Sequence, residues 1–356
     1  MKNIKFRIYI LSFLIILFVS GCQNSKVSTN NFQIKTHIEN EENSNIIIDA
    51  KVEIPEILID GKSKRVKGTP LGYLEKYQIV ENLVVGNREI SKQYNDSSHL
   101  DCAIEYTDGA ALTLSENMIF FATSLGGRIY EYLELDRTAK NSVKNIFSTK
   151  FEFSDFSRTE AYNRITKICN GFGITLSSEY VCYAFDSESI EKTDFGIGKS
   201  ENGDIDKMVI PNGEYYYFFF RNIYNNTTLL TTEDIYLGTG TPDSCLAIIG
   251  KEELELLSLR HIYQTEVSDT VNLVSVDEAV KVVEKKYKDQ LLSQPVKVIA
   301  VELCYYADDE RQYNSVTPIY MVWSFEIIFS ENGPPFRVLV HAETGREILI
   351  GDAYDQ

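Results

Sequence analysis

The sequence predicts an α+β protein: tandem modules of one helix packed on an antiparallel sheet, placed behind an N-terminal signal and a disordered tether. Three observations predict it. Two amphipathic segments, SRTEAYNRITKICNGFG from Ser157 and SVDEAVKVVEKKYKDQL from Ser275, open with the same Ser-x-x-Glu-Ala phrase. Each is followed by strand-like runs in a similar order. A polar tract separates the greasy N-terminus from the first β-rich run, NIIIDAKVEIPE at Asn45.

In chain order, Lys2, Lys5 and Arg7 precede an apolar run from Ile8 to Val19 broken only by Tyr9 and Ser12, and then Ser20, Gly21 and Cys22. A basic start, a short apolar stretch and small residues before a cut form a secretory signal over residues 1–21. At about 1.5 Å per residue the run covers about 18 Å, short of the roughly 30 Å hydrocarbon layer. Val19, Ser20, Gly21 and Cys22 resemble the lipobox of bacterial lipoproteins, in which the cysteine thiol receives a diacylglycerol. Cys22 is therefore the expected lipid attachment site, with the palmitate-type acyl chains as the membrane partner and the rest of the chain on the extracytoplasmic face. Two chains suffice for stable anchoring, since each buried CH₂ contributes about 0.8 kcal/mol.

Residues 22–45, rich in Asn, Ser, Glu and Lys, read as the tether. A β-rich region is expected over residues 46–150, with a strand closed by Pro55, a short helix around Leu74 to Val84, and strands at Ala110 to Leu114, Met118 to Thr123 and Arg128 to Leu135. The last two are expected to form a hairpin across SLGG, because Gly126-Gly127 suits a tight turn.

The first module is expected over 151–267 and the second over 268–356. Ser157 with Glu160, and Ser275 with Glu278, are capping boxes. Ala161, Ile165, Ile168 and Phe172 recur at helical spacing, as do Val276, Val280, Val283, Tyr287 and Leu291. Strands follow in each copy: YVCYAFDSES and VELCYYADDER, which align Cys182 with Cys304, then YYYFFFRNIY from Tyr215 and IYMVWSFEIIF from Ile319. Last come Ile235 to Ile249 in one copy and Phe336 to His341 in the other, the latter after a turn at Asn332-Gly333.

The order of cues at the C-terminus, with Glu343-Thr344-Gly345 in the final turn, resembles the PepSY-like module. Tandem modules behind a membrane anchor resemble the YycI/YycH-type extracytoplasmic regulators of low-GC Gram-positive bacteria, and lipoproteins of unknown function with similar modules. The resemblance implies a cell-envelope protein that binds or regulates another protein or peptide. Those regulators usually keep a transmembrane helix, which a cleaved lipoprotein signal would remove.

The formal charge of −17 argues against nucleic acid as a partner. Cys102, Cys169, Cys182, Cys245 and Cys304 are odd in number and lack CxxC spacing; His37, His99, His261 and His341 form no metal-binding pair. Glu201, Asp204 and Asp206 share a glycine-bearing loop that suits a hard cation, although a solvated acidic turn is the simpler reading. The acidic loop Ala307 to Gln312 reads as a plain connection. The aromatic run Tyr215 to Phe220 and the single tryptophan, Trp323, could stack on a sugar or peptide, but both suit a core strand better. Gly238 to Ser244, GTGTPDS, lacks the lysine of a phosphate loop. No catalytic motif and no cofactor motif stands out. The expected function is non-enzymatic binding of an envelope protein or peptide; the alternatives are a ligand-capturing lipoprotein serving a transporter and, third, an envelope hydrolase.

Overall fold

The computed structural model describes residues 32–40, 45–96, 101–115, 118–137, 147–191, 213–232, 245–288, 290, 292, 294–308, 316–329 and 335–349. Cys22 and its lipobox, Glu201, Asp204 and Asp206, the 238–244 segment, His99, Leu291 and the Asn332-Gly333 turn all lie outside the described residues. The fold is α+β, with five α-helices and 17 strands among the described residues. None of these helices is long and apolar enough to cross a membrane.

The strands form two largely antiparallel sheets joined through one short strand. In one sheet, β14 (Val296–Ala307) and β15 (Thr317–Ile328) are the central antiparallel pair. Beside β14 runs β2 (Ile46–Glu53) in parallel, and β1 (His37–Glu39) pairs with β2. Beside β15 lie β16 (Phe336–His341), carrying β17 (Glu347–Ile348), and β3 (Lys62–Pro70), carrying β13 (Tyr263–Asn272). Helix α5 (Val276–Lys288) packs on one face with Val276, Ala279, Val283 and Tyr287 buried against Val298, Leu303, Trp323 and Phe325.

The other sheet runs β4 (Ile90–Asp96), β5 (Asp101–Tyr106), β6 (Ala111–Ser115), β7 (Met118–Ala122), β12 (Leu254–Arg260), β11 (Cys245–Gly250), β9 (Glu214–Tyr224), β8 (Thr175–Asp186). Helices α1 (Tyr73–Val80) and α3 (Arg158–Gly171) cover one face; α2 (Ser124–Arg137) covers the other, and a single turn, α4 (Ser187–Glu191), follows β8. The predicted stripe of α3 is the buried one: Ala161, Ile165, Ile168 and Phe172 all enter the core. Strand β10 (Thr227–Thr231) continues from β9 through a two-residue turn and pairs in parallel with β14, joining the sheets.

Both caps form, with different completeness. The Ser275 hydroxyl accepts from the Glu278 amide at 3.3 Å while the Glu278 carboxylate accepts from the Ser275 amide at 3.1 Å. Ser157 accepts from the Glu160 amide at 3.1 Å, but the Glu160 side chain turns instead to Arg164, one helical turn on, at 2.7 Å.

Four expectations are corrected. First, the tether does not run unstructured to Asn45: Phe32 stacks on Trp323 with centroids 6.3 Å apart, Lys35 pairs with Asp277 at 2.7 Å, and Ile38 is buried in β1. These anchors are single residues in a polar tract, so they carry no periodic signal. Second, SLGG opens helix α2 and does not close a hairpin. Thr123 caps that helix, its hydroxyl accepting from the Gly126 amide at 2.9 Å and its carbonyl from Gly127 at 2.9 Å. Gly126 is needed for closeness: a Cβ there would lie 1.9 Å from the Glu255 carbonyl oxygen.

Third, residues 46–150 are not one region. Strands β2 and β3 join the sheet of the second module, whereas β4–β7 extend that of the first, and β13 spans the expected boundary at 267/268. Fourth, Cys182 and Cys304 sit on corresponding strands, each following its module's helix, but point to opposite sides. Cys182 packs in the core under α3, while Cys304 lies with Leu230, Tyr306, Val322 and Leu339 on the face away from α5. A one-residue slip in a period-two element reverses the face, so the helix-facing counterparts near Cys304 are Leu303 and Tyr305.

Candidate functional site: a tyrosine-lined cleft between the sheets

The connection through β10 leaves a cleft of about 700 Å³ between the two sheets. Its walls come from five segments distant in sequence: the stretch from the 3-10 turn Glu56–Leu58 into the start of β3, the loop after α3, the β9–β10 turn, β13 and the end of β14.

Each wall has a local cause. The β9–β10 turn is Asn225-Asn226, with φ of 51° and 56°, the left-handed pair that a two-residue hairpin demands and asparagine tolerates. It sets Tyr224 edge-on to Tyr305, with centroids 5.2 Å apart and planes at 76°. The Tyr305 and Ser63 hydroxyls meet at 3.4 Å on the buried side. Burial raises the Tyr305 pKa above the ordinary phenol value, and the hydrogen bonds to Ser63 and Asn225 act against it, so the phenol stays protonated and able to donate. Opposite, Tyr263 lies across Gly68 on β3, where an added Cβ would come within 2.9 Å of its ring. Lys62, Lys64 and Asp60 line the cleft, and the Asp60 carboxylate accepts from the Lys62 amide at 3.0 Å.

Chemically, the cleft offers aromatic faces, hydroxyl groups and two ammonium groups. That suits recognition of a polar ligand with an apolar face.

Two other polar clusters serve packing. On the face of the second sheet away from α5, Arg337 donates to the Glu326 carboxylate at 3.0 Å and to the Ser324 hydroxyl at 2.9 Å. Glu302 lies 4.0 Å from Arg337 and 3.9 Å from Arg221, tying β9 to β14. Glu255, buried on β12, accepts from the Thr123 hydroxyl and thereby holds the start of α2. Burial raises its pKa, with the Thr123 hydrogen bond opposing.

The residues singled out from sequence fall elsewhere. Tyr216, Phe218 and Phe220 fill one core and Tyr215 and Tyr217 the other, with Phe219 partly buried beside them. Trp323 is fully buried and donates to the Val274 carbonyl at 3.0 Å. All five cysteines from Cys102 to Cys304 are buried, and none forms a disulfide among the described residues. His37 pairs with Asp49 at 3.1 Å; His261 takes a φ of 58° between β12 and β13. His341 ends β16 just before the final turn, its Nδ1 accepting from the Glu343 amide at 3.1 Å, with Gly345 at φ 66° closing that turn as expected. The cleft tyrosines carried no motif. Asn225-Asn226, an unread turn pair after the aromatic run, is the sequence signal that could have marked that wall.

No family model and no curated protein matches the chain by sequence. Among solved structures, an uncharacterized protein from Eubacterium rectale ATCC 33656 is similar with a TM-score of 0.60 at 14% identity, over 89% of this chain and 94% of that one. The C-terminal domain of Bacillus megaterium YpeB aligns with a TM-score of 0.32 at 11% identity, over 79% of this chain and 96% of that domain. The first of these shows that the fold, along nearly its whole length, is shared with a known structure.

Proposed function

We propose that this is a lipid-anchored extracytoplasmic protein, built from PepSY-like modules, that binds another envelope protein or peptide without chemical turnover. The observation that carries the reading is the cleft: a site of about 700 Å³ assembled where the two modules meet, lined by tyrosines, hydroxyls and lysines. The signal sequence and Cys22 supply the anchoring part of the reading. Phe32 is held against Trp323, and ten chain steps separate it from Cys22. Even fully extended, ten chain steps reach at most about 36 Å, which bounds the distance between the folded part and an anchor at Cys22.

Affinity capture with the full chain from cross-linked membranes tests this. Reproducible enrichment of one envelope protein, lost on mutating cleft residues, supports it. Turnover of a peptide, ester or glycoside substrate that a single substitution abolishes refutes it.

The volume also favours a second reading, since it lies within the roughly 300–1,000 Å³ of small-molecule sites. A thermal-shift screen separates the two: one metabolite giving a saturable rise in Tm indicates solute capture, because ligand binding stabilises by RT ln(1 + [L]/Kd).

A further inference from the structure

We infer that the cleft is the docking groove for an extended, acidic peptide segment of its partner; this deepens the binding reading above and rests on it. Shape supplies the first argument. Tyr263, Thr265 and Val267 of β13 line the cleft at alternate positions. Alternate residues of a strand stand about 6.7 Å apart along one face. A row with that spacing matches an extended chain, whose own alternate side chains repeat at the same distance.

Charge supplies the second. The chain carries a formal −17, yet the side chains lining the cleft that are charged at neutral pH are two lysines and one aspartate. Neither Lys62 nor Lys64 has a carboxylate within ion-pairing distance among the described residues, and both are exposed. Their neighbour Arg65 is already committed to Glu343. The general field of an acidic protein repels an acidic ligand, so attraction is confined to the place where carboxylates meet these two ammonium groups. Such an arrangement selects register more than it raises affinity.

Position supplies the third. Phe32 covers Gly61, where an added Cβ would lie 2.4 Å from the phenylalanine side chain, and Gly61 stands between the cleft residues Asp60 and Lys62. The tether thus joins the folded part at the cleft's edge. With anchoring at Cys22, the groove is held near the bilayer, where the juxtamembrane segment of a membrane protein can reach it.

The test uses the full chain in a non-ionic detergent and a fluorescein-labelled dodecapeptide of alternating glutamate and threonine, read by fluorescence anisotropy. The expected result is saturable binding that weakens at least tenfold in Lys62→Glu/Lys64→Glu. It should weaken too as salt rises from about 0.1 to 1 M, which shortens the screening length from about 10 to 3 Å. Lys281→Glu/Lys285→Glu, which changes net charge equally on the exposed face of α5, should bind as the wild type does. No binding, equal loss in the two charge-reversal variants, or equal binding of the lysine–threonine counterpart would overturn the inference. So would displacement of the peptide by anionic vesicles or by an acidic oligosaccharide, which would assign the groove to those ligands. If an envelope protein is captured but Lys62→Glu/Lys64→Glu leaves capture intact, the peptide inference falls and the binding reading stands.

Discussion

Replacing Trp323 with phenylalanine should destabilise the protein without affecting ligand binding. The indole is fully buried, stacks against Phe32, and donates from Nε1 to the Val274 carbonyl, which immediately precedes the capping serine of α5. Phenylalanine keeps a ring but removes the donor. Losing the hydrogen bond to that part-buried carbonyl costs about 0.5–1.5 kcal/mol. The lost volume leaves a cavity worth about a further 1 kcal/mol at roughly 24 cal/mol per Å³. The sum, about 1.5–2.5 kcal/mol, corresponds to a fall in Tm of roughly 3–10 °C at about 2–4 °C per kcal/mol. Urea denaturation followed by far-UV circular dichroism measures the difference, because the variant has no tryptophan left to report. In the wild type, tryptophan emission should be blue-shifted and inaccessible to acrylamide. An unchanged midpoint for Trp323→Phe, or a readily quenched tryptophan, would refute the packing argument and return Trp323 to the role of an exposed binding platform.

Three further outcomes follow from the same reasoning. Glu255→Gln should raise stability at neutral pH. The folded state holds the Glu255 proton more tightly than the unfolded state, so the wild type loses stability as pH rises from the ordinary carboxylate range through the raised folded value, and that part of the pH dependence should vanish in the variant. Glu278→Ala should cost more than Glu160→Ala, about 1 against about 0.3–0.5 kcal/mol in denaturant titrations, because only the Glu278 carboxylate accepts from its capping serine's amide while Glu160 makes an exposed ion pair one turn on; equal costs would contradict it. Cys182, with its thiol pushed up to about 12 by burial, should resist alkylation in the native protein and react promptly in denaturant; rapid native labelling would show that β8 is not packed as described.

What was legible in the sequence is what short-range chemistry decides. The two capping boxes, the buried stripe of α3 and the aromatic strand β9 could be read because each repeats within one or two turns or pleats. The Gly126-Gly127 pair misled because its reason is non-local: Gly126 is small so that α2 can approach the Glu255 backbone, 129 positions away in sequence. Thr123 was the overlooked local sign, a capping residue directly ahead of that glycine pair. The Cys182–Cys304 alignment paired the right strands and missed their faces, because β8 and β14 each carry a bulge near the start that resets the alternation. The division of residues 46–137 between two sheets could not be read at all. It depends on β2 and β3 finding partners more than 190 residues away in β13, β14 and β15. The cleft inherits that difficulty, since Ser63, Tyr224, Tyr263 and Tyr305 meet only after both sheets have formed.

Site-directed photo-cross-linking from the cleft in intact membranes tests the central claim most directly. With benzoylphenylalanine in place of Tyr224, the full chain should give a single adduct with another envelope protein, an adduct that weakens when Cys22→Ala removes the acyl acceptor. Placing the same probe at Lys281, on the exposed face of α5, should give none. If Tyr224 gives no adduct, or if Lys281 gives the same one, the cleft is not where this protein meets its partner.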